Sequence, residues 1–299
     1  MALLIDPPMW PAHGTRFSHL VSDASLTELH EFAAAAGVSE RAFDRDHYDV
    51  PERLHAELVA RGAERVSARE LIRRLRGSGL RVPARDRPAH RRSVLTDRWE
   101  RTLPGSASLG AELIDRWDEE HRHYHTTAHL LDVLEALDVL CAPDEPPRSV
   151  VLAAWFHDAV YQGVAGQDER DSAALAQNVL PRTGISGPEV AEVARLVRVT
   201  AEHQVGEHDR NAALLCDADL AVLGRDEAGY RRYLRQVREE YAHVGDADWQ
   251  TGRSAVVQHL LAQEPLFHTP RGAARWADRA RTNLTDELTA LRGGPDSTA

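Results

Sequence analysis

The 299-residue sequence predicts a mainly α-helical protein, in which an all-helical domain follows a small α/β domain. From residue 93 to 292, about nine long segments carry apolar residues at helical spacing and are joined by short loops. Before residue 80, short segments typical of strands alternate with helices that have capping residues. We therefore expect a small α/β domain at 1–80, a proline- and arginine-rich linker at 81–92, a helical domain at 93–292 and a disordered tail at 293–299.

The first domain begins with a predicted strand at 2–6, "ALLID", and a Pro-rich loop at 7–23, "PPMWPAHGTRFSHLVSD". Asp23 or Ser25 can cap the helix "LTELHEFAAAAG", which should end at Gly37. The remaining predicted elements are "RAFDRDHYDVP" as strand then turn, a helix from Pro51 to about Arg61, a short strand near "AERV", and the helix "SARELIRRLRGSG" opened by Ser67.

The basic residues exclude several classes of protein. All 36 residues counted as Lys plus Arg are arginine, which removes the P-loop lysine, the kinase lysine and every Schiff-base enzyme. A net charge of −11 disfavours general nucleic-acid binding, which normally uses a basic surface. The local arginine excess at 61–101 indicates a solvated helix and connector, with a phosphate or RNA contact as the alternative. Cys141 and Cys216 form no CxxC pattern, so a thiolate zinc site is not expected.

No apolar stretch of 18 residues occurs, and the start "MALLIDPPMW" does not have the pattern of a signal peptide. These two observations predict a cytoplasmic protein without a membrane partner.

The segment "VVLAAWFHDAVY", residues 150–161, is typical of a buried helix, with His157 and Asp158 set into its middle. A buried carboxylate needs a cation or a hydrogen-bonding partner. Because imidazole nitrogen and carboxylate oxygen together suit Mn, Fe, Co, Ni or Zn, a divalent ion is the partner that explains the pair.

Further ligands can come from neighbouring segments. His125 and His129 in "HRHYHTTAHL" are four residues apart and therefore share a helical face, and "LLCDADLAVLG" carries Asp217 and Asp219. Two histidines and two carboxylates around a divalent ion are formally neutral.

A histidine, then a His-Asp pair, then a distal aspartate resembles the HD superfamily of metal-dependent phosphohydrolases. The segments "HRHYHTTAHL", "AAWFHDAVY", "LCDADLAVLG", "YRRYLRQVREEY", "GRSAVVQHLL" and "RTNLTDEL" are similar to one branch of it, described as predicted phosphohydrolases, over about residues 93–292. The resemblance implies an all-helical HD-type fold and a divalent ion (Mn, Fe, Co, Ni, Zn or Mg). It implies the ligands His129, His157, Asp158 and Asp219, with Asp217 as the alternative distal ligand or otherwise a cap or a hydrogen-bond acceptor for a ligand.

The same resemblance implies hydrolysis of a small phosphorylated substrate, with a nucleotide as the first candidate, by attack of a metal-bound water. Arg122 and Arg253 are the candidates for phosphate binding. Glu169 is either the acid/base or a helix-start charge, and His203 either completes a second metal site or assists proton transfer. The alternatives are a di-iron oxygenase of the same fold, which some members are, and a nucleotide-binding sensor without turnover. The oligomeric state stays open.

The first domain resembles a short domain of unknown function through "SHLVSD", "ELHEFAAAAGV" and "DHYDV". Its polar residues His19, Asp23, His30, His47 and Asp49 either cluster as a second site or serve in turns and caps.

Overall fold

The structure is a computed structural model, and it describes residues 2–12, 14–78, 80, 88–164 and 166–293. The chain divides into two compact units, Met1–Arg87 and Pro88–Ala299. The first helix of the second unit begins at Pro88, so residues 88–92 belong to a helix and not to the predicted linker. Residues 81–87 of that linker and 294–299 of the predicted tail lie outside the described residues.

The first unit contains a small sheet built around β3 (Thr15–Ser22). β3 pairs antiparallel with β1, β2 and β4, and β1 pairs parallel with β5. The expectation of a loop over 7–23 was therefore wrong, because Gly14, with φ of 76°, turns the chain between two paired strands. The other strands are β1 (Leu3–Ile5), β2 (Trp10–Ala12), β4 (Tyr48–Pro51) and β5 (Glu64–Arg65).

Helices cover both faces of this sheet. α1 (Leu26–Ala35) and α2 (Glu52–Ala60) pack on the face that carries Leu20, and α3 (Ala68–Gly77) packs on the face that carries Val21. Successive strand residues point to opposite faces of a sheet, so the adjacent Leu20 and Val21 each contribute to the apolar core on a different face. The first unit is thus the small α/β domain that the sequence predicts.

The predicted helix starts in this domain are confirmed at two serines. Ser25 Oγ accepts a hydrogen bond from the Glu28 N–H at 3.1 Å, and Ser67 Oγ accepts one from the Glu70 N–H at 3.2 Å. Each bond satisfies a backbone donor that the first turn of a helix leaves unpaired.

The second unit is helical. One helix, α10, was not among the predicted segments, and it carries the two distal aspartates. Over the described residues no helix is long and apolar enough to cross a bilayer. The helices are α4 (Pro88–Thr102), α5 (Ala107–Trp117), α6 (Thr127–Cys141), α7 (Arg148–Phe156), α8 (Gln167–Val179), α9 (Gly187–Val199), α10 (Arg210–Asp219), α11 (Glu227–Glu240), α12 (Asp246–Ala262), α13 (Pro270–Gly272) and, after a π-helical turn at Ala273–Ala277, α14 (Asp278–Arg292).

α7 lies in the core of this unit, between α6, α9 and α10. Trp155 and Phe156 at its end are fully buried. The helix ends there, so His157 and Asp158 lie in the turn after it. The sequence-based expectation that both residues lie in the middle of a helix was therefore wrong. This turn frees both side chains from the helical spacing and directs them toward the neighbouring helices.

Candidate metal centre

Three helix ends bring four side chains together in the helical domain. His129 lies in the first turn of α6, whose start is capped by Thr126. His157 and Asp158 follow the last residue of α7, and Asp219 is the last residue of α10. All four predicted ligands therefore lie at helix ends, where a short turn can adjust their positions.

The two imidazole Nε2 atoms lie at the distances from each other and from both carboxylates that are expected between ligands of a single ion. His129 Nε2 is 3.0 Å from Asp219 Oδ1 and 3.2 Å from His157 Nε2. His157 Nε2 is 3.1 Å from Asp158 Oδ2 and 3.6 Å from Asp219 Oδ1, and His129 Nε2 is 4.0 Å from Asp158 Oδ2. Because ligands bind at about 2.0–2.2 Å from such an ion, two of them lie roughly 3 to 4 Å apart. The residues present fit a divalent metal.

A hydrogen bond from the ring nitrogen that faces away from the cluster fixes the orientation of the His157 side chain. Its Nδ1 donates a hydrogen bond to the Ala154 carbonyl oxygen at 2.8 Å, so Nε2 faces the other ligands. A backbone carbonyl commonly holds a metal-binding histidine in this way. With only 1% of its surface exposed, His157 has no solvent to compete for Nε2.

The electrostatics of the cluster favour a cation. Burial alone raises the pKa of Asp158, but His157 outweighs it and lowers that pKa to about 2. Burial lowers the pKa of His157, whereas Asp158 and Asp219 raise it well above its ordinary value. The carboxylates thus remain ionised and attract positive charge at this point.

His203 adds a fifth group next to the cluster. Its Nε2 lies 2.8 Å from Asp219 Oδ2, the carboxylate oxygen that does not face His129. The backbone of His203 has a φ of 53°, which residues other than glycine seldom adopt. Asp219 therefore contacts histidines through both of its oxygens.

Asp217, the alternative distal ligand, faces away from the cluster. Its carboxylate is fully buried and accepts hydrogen bonds from the backbone N–H groups of His268 and Thr269 and from the Thr269 hydroxyl, at 2.7, 2.8 and 2.6 Å. These bonds hold the start of α13 against α10. The geometry thus favours Asp219 as the distal ligand.

A cavity of about 740 Å³ opens beside Asp219, within the size range of small-molecule sites. Glu169, from the first turn of α8, lines it together with His203 and His125. Glu169 Oε2 is buried and has no hydrogen-bond partner among the described residues. Burial, and then the charge of Asp158, raise the pKa of Glu169.

The expected phosphate contact of Arg122 is not supported. Its side chain is fully buried, and it donates hydrogen bonds to the carbonyl oxygens of Asp158 and His125 at 2.7 and 3.2 Å. Glu119 pairs with the same guanidinium at 3.0 Å. Arg122 therefore holds the backbone of the His-Asp turn in place. The predicted phosphate contact is not supported because the side chain of Arg122 has no exposed surface.

Arg253 lines the cavity, but most of its guanidinium is used within the protein. Its Nε donates to Glu287 at 2.7 Å, and its Nη2 donates to the Tyr233 hydroxyl at 3.0 Å. Among the described residues only Nη1 makes no hydrogen bond to protein. A phosphate contact by Arg253 would have to use that single nitrogen.

Sequence reasoning missed Glu240, the last residue of α11. Its Oε2 accepts hydrogen bonds from the backbone N–H groups of His123, Tyr124 and His125 at 2.8–3.1 Å, and its Oε1 lies 2.5 Å from His125 Nδ1. This places His125 Nε2 at 4.0 Å from Asp158 Oδ2. The available signal was spacing, because Glu240 lies seven residues after the buried Tyr233 on one helical face.

Comparison with known proteins identifies the first domain alone. A family described as "Protein of unknown function (DUF4031)" matches residues 3–78, which confirms the expected resemblance of that segment to an uncharacterised domain. No curated protein and no solved structure matches the chain. The resemblance of residues 93–292 to the HD superfamily stays a prediction.

Proposed function

We propose that the helical domain is a metal-dependent phosphohydrolase of the HD type that acts on a small phosphorylated molecule. The observation that carries this proposal is the convergence of His129, His157, Asp158 and Asp219, in which each imidazole Nε2 lies 3.0–4.0 Å from an oxygen of both carboxylates, beside a cavity lined by the half-buried Glu169. Two neutral imidazoles and two carboxylates balance the charge of a divalent ion.

A divalent ion at this site would polarise a phosphoryl oxygen and lower the pKa of a nearby water. The protein supplies the rest. Glu169, whose pKa is raised, can hold a proton nearer to neutral pH than an ordinary glutamate and can pass it at Oε2 to or from a group in the cavity. Arg122 keeps the turn that carries two of the ligands in position.

The cavity favours a nucleotide over a smaller phosphate ester. Its volume of about 740 Å³ exceeds what a phosphate needs, and its wall is partly aromatic and apolar, with Tyr124, Tyr233 and Trp249. A base or sugar can pack on such a wall while the phosphate lies at the ligand cluster. We therefore place nucleoside phosphates first among substrate classes.

The test is a phosphatase screen of the full chain over a nucleotide panel, after metal removal and resupply with Mn, Fe, Co, Ni, Zn or Mg. We expect release of phosphate that needs an added ion and is lost in Asp158→Asn. Asp171→Asn, which changes an exposed aspartate outside the cavity, is the matched control and should keep full activity. Turnover that is equal in Asp158→Asn and wild type would contradict the proposal, and tight nucleotide binding without product would favour the sensor alternative.

One observation favours a two-ion centre, and with it the di-iron oxygenase alternative. Asp219 contacts His129 through Oδ1 and His203 through Oδ2, so His203 would be available to hold a second ion beside the first. Metal analysis of His203→Gln decides this point. Loss of one iron with retention of another supports a two-ion centre, whereas unchanged metal content supports a single ion.

A further inference from the structure

Three side chains of the N-terminal domain lie together on one face of its sheet. His19 in β3 lies directly across from Asp49 in β4, and His47 lies in the turn just before β4. Asp49 Oδ1 is 3.5 Å from His47 Nε2 and 4.0 Å from His19 Nε2. One ligand atom from each residue lies within 4.8 Å of the others.

A buried carboxylate stands behind each of the two histidines. His19 Nδ1 is 2.9 Å from Asp6 Oδ2, and His47 Nδ1 is 2.6 Å from Asp46 Oδ1. Both aspartates are only 1% exposed. A carboxylate that accepts the Nδ1 proton fixes the tautomer of the ring and directs the lone pair of Nε2 outward, the arrangement common behind metal-binding histidines.

The backbone holds these pairs in place. The Asp6 N–H donates to the His19 carbonyl, and the His19 N–H donates to Asp6 Oδ1 at 2.6 Å, so this pair is part of the sheet. Asp46 and His47 lie in a tight turn in which Arg45 adopts a φ of 64°. A non-glycine residue in that conformation is costly unless its surroundings require it. The cluster is therefore preorganised.

The spacing between Asp49 and the two histidines does not suit hydrogen bonds between them. Distances of 3.5 and 4.0 Å between Asp49 Oδ1 and the two Nε2 atoms are too long for such bonds. They are the distances between two ligands of one ion, roughly 3 to 4 Å. Asp49 and His19 also have half and about a quarter of their side chains exposed, at 50% and 28%, so ions can enter from solvent.

We propose that His19, His47 and Asp49 form a second metal site, which binds a divalent transition ion (Zn, Mn, Fe or Co) through two imidazole nitrogens and one carboxylate oxygen. Two histidines and one carboxylate leave coordination positions open, and these face solvent. All three residues lie inside the segment that matches the family of unknown function. The site is separate from the cluster of the helical domain and does not depend on the proposed function.

The test compares ion content and affinity of the full chain in four forms: wild type, Asp49→Asn, Asp158→Asn and the double variant. After metal removal, each is titrated with Co²⁺ by visible absorption and with Zn²⁺ by dialysis and elemental analysis. We expect Asp49→Asn to lose one ion per chain that Asp158→Asn retains. His30→Gln is the matched control, because His30 lies in the same domain, bound to Tyr48, outside the cluster.

Two further measurements protect the test from variants that fold poorly. Asp46→Asn keeps its size but weakens the hold on His47, and it should lower Zn²⁺ affinity by about 10- to 100-fold. In the wild-type chain, Zn²⁺ should shift the side-chain ¹⁵N resonances of Nε2 in His19 and His47. Unchanged ion content in Asp49→Asn, or unshifted Nε2 resonances, would overturn the second site and leave the proposed function of the helical domain untouched.

Discussion

At the scale of single residues, His157 in one cluster and His47 in the other each use one ring nitrogen for the surrounding protein and direct the other to the cluster. His157 binds the Ala154 carbonyl through Nδ1, and His47 binds Asp46 in the same way. The acceptor is a neutral carbonyl oxygen for His157 and a carboxylate oxygen for His47, and the group behind a metal-binding histidine affects how well the histidine binds an ion. We therefore expect the two sites to differ in their affinity for a given ion.

Glu169 is the residue whose change should separate proton transfer from metal binding. Glu169→Gln keeps the shape of the side chain and removes the titrating group, so bound metal should remain while kcat falls by on the order of 10²- to 10⁴-fold. Steady-state kinetics and elemental analysis of the same sample measure both. Glu207→Gln, at an exposed glutamate, is the control. Full activity in Glu169→Gln would return Glu169 to a helix-start charge and make His203 the leading candidate for proton transfer.

Asp217 and Asp219 should respond in opposite ways to substitution. Asp217→Ala leaves the part-buried N–H groups of His268 and Thr269 without their acceptor, which costs at most about 1–3 kcal/mol of unfolding free energy per group, the value for a fully buried one. Metal content should stay unchanged, whereas Asp219→Asn should lose metal. Denaturant titration with parallel metal analysis checks both expectations. Metal loss in a folded Asp217→Ala variant would mean that Asp217, and not Asp219, is the distal ligand.

At the scale of elements, the sequence predicted those with a regular pattern. Helices with apolar stripes and serine caps were predicted correctly, as at Ser25 and Ser67. α10 was missed because it is buried on nearly all sides, so "AALLCDAD" lacks the polar face that marks a helix. β3 was missed because prolines precede it and because its buried end, "LVS", breaks the alternation of a half-exposed strand.

The sequence predicts the parts of the candidate site that depend on residue type and motif order. It predicts less well the roles that depend on how side chains pack in the folded protein. His129, His157, Asp158 and Asp219 come together as the motif series implies. Arg122 was assigned to phosphate because charge is visible in a sequence, whereas the carbonyl oxygens that bind its side chain are not. Long-range pairing of this kind depends on tertiary contacts that no local pattern encodes.

The contact of α11 with the loop at 123–125 should give the protein a pH-dependent stability. Burial raises the pKa of Glu240, but His125 and the backbone donors lower this pKa by more than burial raises it. Burial lowers the pKa of His125, but Glu240 raises it. The glutamate therefore stabilises the fold above its ordinary pKa of about 4.3, and the histidine does so below its ordinary pKa of about 6.5. Both contributions are present together between these two values.

We expect Glu240→Gln to lower the free energy of unfolding more at about pH 6 than at about pH 9, because the contribution of the charged His125 is lost as the pH rises through its raised pKa. Denaturant unfolding with a chelator present measures this difference without metal binding. Glu239→Gln, at the exposed neighbour, should show little dependence on pH. An equal effect of Glu240→Gln at both pH values would mean that the three backbone hydrogen bonds alone account for its role.

At the scale of the whole molecule, each unit has its own apolar core and its own histidine–aspartate cluster. The helical core includes Trp99, Trp117 and Trp155, and the cores of the α/β domain include Leu20 and Val21 on opposite faces of the sheet. None of the four predicted ligands in the helical domain comes from residues before Pro88. A unit with a complete core can fold alone.

The chain that begins at residue 88 should therefore fold and bind metal without the α/β domain. We expect it to unfold in one cooperative transition and to keep the ion that depends on Asp158. It should hold one ion fewer than the full chain, because the site at His19, His47 and Asp49 has been removed. Calorimetry and elemental analysis of both chains measure these quantities, and Asp158→Asn in the short chain is the control. Loss of both cooperative unfolding and the Asp158-dependent ion in the short chain would show that the helical domain needs the α/β domain to fold, despite having a core and a ligand set of its own.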